Sequence, residues 1–143
     1  MTFIPVDFDS VVEATAAPEG RYSLQILSGE VKQTGPNSAN PGRDMLQFTI
    51  GFTDPDVNSP YIRHFVSLPH PDDEPSKARN KALMLKRFLI AFGIPFDSSG
   101  IDLEAITFEA TGREAHDIHV TQETGQDGVS VNNRINLPRL PRD

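Results

Sequence analysis

MLQFTIGF, residues 45–52, puts Leu46, Phe48, Ile50 and Phe52 on one side and Met45, Gln47, Thr49 and Gly51 on the other. An apolar residue at every second position is the period of a half-buried strand. The segments on either side repeat that period. Downstream, YIRHFVSL (61–68) alternates Ile62, His64, Val66 and Leu68 with Tyr61, Arg63, Phe65 and Ser67. Upstream, Arg21 to Lys32 sets Tyr22, Leu24 and Ile26 against Ser23 and Gln25, and a bulge is expected near Gly29. The breaker-rich stretch TGPNSANPGRD (34–44) and the polar connection Thr53 to Pro60 separate the three strands.

The period then changes. SKARNKALMLKRFLIAF (76–92) carries Ala78, Ala82, Leu85, Leu89 and Phe92 at helical spacing, widened by Leu83 and Phe88. Ser76 is the expected N-cap, and Gly93 with Ile94–Pro95 reads as the stop. After a loop, Thr111–Gly–Arg113 reads as a turn into a fourth strand, His116 to Thr121, and a fifth covers Gly128 to Ile135. Ile118, Val120, Val129 and Val131 supply their inward faces. Three strands, one helix and two strands is the element order of an OB-fold five-stranded barrel, mainly β, with its α-helix between strands 3 and 4. Residues 1–20 read as an N-terminal arm that packs on the barrel, 21–137 as the barrel domain and 138–143 as a short tail.

Composition excludes several functions. The 143 residues can bury one core without staples. With no cysteine, disulfide scaffolds, thiolate zinc sites and thiol catalysis are ruled out, which fits a reducing compartment. No apolar run is long enough to span a bilayer, and Asp7 and Asp9 stand where a signal peptide would be basic. A soluble, cytoplasmic protein is expected. A net charge of −7 argues against a duplex-coating protein but not against a local basic groove.

If the apolar faces of strands 2 and 3 fill the barrel, Met45, Gln47 and Thr49 face outward beside Tyr61, Arg63 and Phe65. An outward row of aromatic, guanidinium, aromatic suits single-stranded nucleic acid, because every base offers a π-face and the guanidinium takes phosphate. Lys32 and Arg43 flank that surface from the two ends of the first loop, so the candidate site is Lys32, Arg43, Gln47, Tyr61, Arg63 and Phe65. The competing explanation is structural: such aromatics also pack beneath an arm, here Phe3, Phe8 or the tail, or at an oligomer interface. Lys77, Arg79, Lys81, Lys86 and Arg87 on the helix read as a solvated face.

No catalytic set emerges. There is no phosphate-cradling glycine motif or nucleophile elbow. His116 and His119 fall on opposite faces of a strand, and His64 is in phase with the core. Neither a metal nor a cofactor is expected.

PEGRYSLQILSGEVKQT (18–34), MLQFTIGF, KALMLKRFLIAFGIP (81–95) and IDLEAI (101–106), in that order, resemble a family of phage single-stranded DNA-binding proteins. That family was long catalogued only as a domain of unknown function. The resemblance covers about Pro18 to Leu137. It implies an OB fold and non-catalytic binding of single-stranded DNA during bacteriophage DNA replication or recombination in the host cytoplasm. Further copies of this viral protein, or replication proteins, would be its partners. Two departures stand out. Ile106 to Arg113 replaces the "LxGk" pattern frequent after the helix, and LPRLPRD (137–143) ends the chain with a basic bias rather than an acidic one. The alternative is an OB domain for protein interaction or virion structure, with a carbohydrate-binding domain a distant third.

Overall fold

A computed structural model describes residues 2–38 and 40–141. Five strands form one antiparallel sheet: β1 (Gly20–Gln33), β2 (Asp44–Phe52), β3 (Ile62–Ser67), β4 (Glu114–Thr124) and β5 (Val131–Asn136), in the order β3-β2-β1-β4-β5. β3 and β5 are the two edges. They approach each other without a shared hydrogen-bond ladder, so the sheet curls into a nearly closed five-stranded barrel, an arrangement compatible with an OB fold. Two register shifts interrupt the pairing of β1 with its neighbours, the extra residue lying on β1 in the first and on β4 in the second. One lies between Ile26 and Ser28 against β2, the other between Tyr22 and Leu24 against β4, where Asp117 takes φ 58°. An extra residue bends its strand and raises the local twist, which lets a five-stranded sheet close.

The apolar face of β2 is the centre of the core. Leu46, Phe48 and Ile50 are fully buried with Leu24 and Ile26 of β1 and Val120 of β4. Helix α1 (Pro75–Ala91) closes one barrel end. Its Phe88 stacks on Phe48 at 4.6 Å and contacts Phe92 at 4.9 Å. Phe48 fits because its cross-strand partner is Gly29: a Cβ there would stand 2.7 Å from the Phe48 ring.

Several sequence expectations are corrected. α1 begins with Pro75 in its first turn after Glu74, ahead of the expected Ser76 cap, because Pro needs no N–H at that position. Its buried side is Phe88 and Leu89, followed by Phe92, while Ala82 and Met84 are exposed. Gly93 terminates it as read, at φ 64°, with Ile94 N–H donating to Leu89 C=O at 2.8 Å. The loop expected before strand 4 contains a second helix, α2 (Leu103–Ala110). The Asp102 carboxylate caps it by accepting from Ala105 N–H at 2.9 Å. β5 starts at Val131, not Gly128. Val129 and Val131 face solvent at 83% and 48% exposure, and Ile135 is the inward residue. The arm is also not packed on the barrel over most of its length: Phe3, Ile4, Phe8, Val11 and Val12 are all exposed. Of the tail, Arg142 and Asp143 lie outside the described residues. No described helix is long and apolar enough to cross a membrane.

Candidate functional site

The cross-strand registers assemble the outward surface row by row. Ser28, Thr49 and Arg63 lie side by side on β1, β2 and β3; Glu30, Gln47 and Phe65 form the next row; Lys32, Met45 and Ser67 form the last. Tyr61 stands one residue ahead of β3, over Gly51. A Cβ at Gly51 would meet Leu27 Cδ1 at 3.1 Å and the Tyr61 ring at 3.5 Å. The tight approach at Gly51 is that of Leu27, while the Tyr61 ring sits at ordinary contact distance over the same position. Tyr61 and Phe65 are 67% and 53% exposed, and Arg63 between them is exposed and in no ion pair among the described residues.

Gln47 belongs to the same surface but is almost fully buried, and its Oε1 finds no donor among the described residues. The two basic loop residues are placed differently. Lys32 ends the last row, 3.4 Å from the Glu30 carboxylate. Arg43 turns away from the row: its Nη1 donates to Asp73 Oδ1 at 3.1 Å, and its side chain is mostly covered. Asp73 also accepts from Lys81 Nζ at 2.9 Å and from His70 N–H at 3.0 Å. Lys81, the His70 amide and Arg43 hold its carboxyl well below the usual range, at about 2. Arg43 thus ties the first loop to the helix entrance.

Sequence reasoning left the other lip of the site open: Arg134 and Arg139 could reach the groove, but alternation does not fix their direction, and Lys77 and Arg87 read as a solvated face. Two adjoining grooves of about 700 and 610 Å³ run along the β3–β5 gap, sharing Arg63, Phe65, Glu123 and Asn133. Arg134 of β5 and Lys77 and Arg87 of α1 face the larger groove. Arg134 stands 3.7 Å from the Glu123 carboxylate, and Arg87 Nε, though buried, has no acceptor among the described residues. Only the pairing of β1 with β4 shows that β5 returns beside β3, and no local sequence signal carries that. His64 backs the groove from inside, its ring parallel to Phe88 at 5.1 Å. Burial, with the Arg134 charge adding to it, pushes its pKa down to about 4, so it is neutral at pH 7.

The remaining histidines are engaged singly. His116 Nδ1 is 3.0 Å from Ser23 Oγ, and His119 Nε2 is 3.2 Å from Glu19. No described cluster of three or more His, Asp or Glu has metal-site geometry. No protein-family model matches the chain, and no curated protein matches it.

Proposed function

We propose that this chain is a non-catalytic OB-fold protein that binds single-stranded DNA with little sequence preference. The role suggested is coating the strand in phage replication or recombination. One observation carries the reading: Tyr61, Arg63 and Phe65 are exposed in a row on the lip of an open groove whose far wall adds Arg134, Arg87 and Lys77. Tyr61 and Phe65 are four residues apart, about 13 Å along the strand, a span a single strand can follow by stacking a base on each with Arg63 midway. The guanidinium between them and those opposite meet phosphate. Gln47, with an unpaired carbonyl below Phe65, supplies an acceptor for a base amino group once its amide turns outward.

The groove is too narrow a feature on too acidic a molecule to favour duplex, whose charge density rewards a broad basic face. Fluorescence anisotropy with a labelled oligonucleotide of about 25 bases, single-stranded and as duplex at two salt concentrations, tests this. Tighter, salt-sensitive binding of the single strand is expected. Equal affinity for both forms would defeat the groove reading. Binding to neither would support the OB domain for protein interaction or virion structure.

A further inference from the structure

The segment ahead of Thr15 leaves Phe3, Ile4, Val6, Phe8, Val11 and Val12 between 49% and 88% exposed. Its charges, Asp7, Asp9 and Glu13, are all acidic. Only a short turn, Phe8–Ser10, gives it local structure, and no residue of that turn is buried. Apolar surface this continuous on a soluble domain marks a docking element. Its root is fixed: Asn133 and Gln122 bind both backbone groups of Ala17, and Thr15 N–H donates to Asn58 C=O at 3.4 Å. The arm therefore leaves the barrel beside Tyr61, at the end where β3 begins.

The opposite end carries a complementary feature. A cleft of about 570 Å³ opens beside α1, floored by Leu68, Leu85, Leu89, Phe96, Ile101 and Leu103. Lys86 stands on its lip, in no ion pair among the described residues. The two carboxylates in its wall are turned to their own loops: Asp97 accepts from the Ser99 N–H and hydroxyl, and Asp44 lies 3.5 Å from Gln33 Nε2. Across Pro75–Ala91, α1 holds Lys77, Arg79, Lys81, Lys86 and Arg87 and no acidic residue. An aromatic, acidic segment matches an apolar cleft whose lip carries Lys86 of that helix. Within one chain the arm leaves that cleft uncovered, and the two halves lie at opposite barrel ends.

We propose that the arm of one copy docks in the α1 cleft of the next, Phe3 and Phe8 entering the apolar floor and Asp7 and Asp9 meeting Lys86. Thr2–Ala14 spans roughly 40 Å when extended, ample to cross from one barrel to another. A contact between different patches is head-to-tail, so it runs on from copy to copy as an open row, or closes into a ring where the rotation between copies allows. Because arm root and cleft sit at the two ends of the Tyr61–Phe65 row, successive grooves would line up along one strand of DNA. That last step rests on the function proposed above; the docking does not.

Sedimentation velocity without DNA tests it. The full chain should gain mass with concentration and pass beyond dimer. Deleting residues 2–12, none of them buried, should leave a monomer with an unchanged melting temperature. Lys86→Glu, or Phe8→Ser should the first variant fail to fold, should weaken self-association by about tenfold or more. Mixing the arm-deleted chain with Lys86→Glu should restore one unaltered contact, the intact arm of the second in the intact cleft of the first, and stop at a one-to-one complex. A full chain monomeric at about 100 µM, or an arm-deleted chain that associates equally well, would overturn the proposal. A self-associating protein indifferent to DNA would sink the function and leave this standing; a monomer that binds single strands would do the reverse.

Discussion

Tyr61 and Phe65 owe little of their position to the core, and that separates their energetic roles. Replacing either by Ala should weaken single-strand binding by about 1–3 kcal/mol in anisotropy titrations and leave the salt slope alone, since stacking releases no counterions. Melting temperature should barely move, because both side chains are largely exposed. A lost melting temperature with unaltered affinity would instead assign them to packing. Arg43 is the contrary case. Its partner Asp73 is nearly buried, so Arg43→Ala should lower stability and have less effect on DNA affinity than Arg63→Ala. His64 gives a pH signature. Its folded pKa, about 4, lies below the unfolded value near 6.5, so the unfolded chain binds the extra proton between them. Stability is complete above pH 6.5 and falls toward pH 4, by up to about 3 kcal/mol, then levels off for this group. Denaturant titrations across that range should show the slope, and His64→Phe should flatten it. Asp73 adds a separate loss below pH 4, as its carboxylate takes up a proton.

At the level of elements, α1 is the piece whose packing closes the barrel. Leu89→Ala should cost about 2–5 kcal/mol by denaturant titration, since the residue is 98% covered and belongs to the core cluster as well as to the cleft floor. A change near zero would mean that face is not core. Gly29→Ala should destabilise too, for the opposite reason: its methyl would enter the Phe48 ring. The long elements could be read from sequence because their periods are long. Leu46, Phe48 and Ile50 sustain alternation over a whole strand, and α1 runs nearly five turns to a glycine stop. α2 escaped because eight residues bury only Ile106 and Ala110 and leave Phe108 exposed, which gives no stripe to detect. Val129 misled for a related reason. It is apolar, but it belongs to a turn that the Asp127 carboxylate organises by accepting from Val129 and Ser130 N–H. Outward placement of Tyr61, Arg63 and Phe65 followed from alternation alone. Arg43 did not, because its direction depends on Asp73, thirty residues away.

On the scale of the molecule, the arrangement concentrates cations that the net charge of −7 hides. Binding to single strands should show a log–log salt slope of about −0.7 for each phosphate contact. Arg63→Ala and Arg134→Ala should each reduce the slope by about that amount, and a slope unchanged in both would remove this groove as the phosphate track. The lack of a β3–β5 ladder has a mechanical consequence. The barrel has a seam, and backbone amides along it hold no partner strand to resist opening, so their hydrogen exchange should be the fastest of the sheet. A ligand gripping Arg63 on one lip and Arg134 on the other acts as a clasp across that seam. It should slow exchange on both edge strands at once and raise the melting temperature in proportion to the logarithm of its concentration, while a ligand held by one lip alone would quiet only its own side.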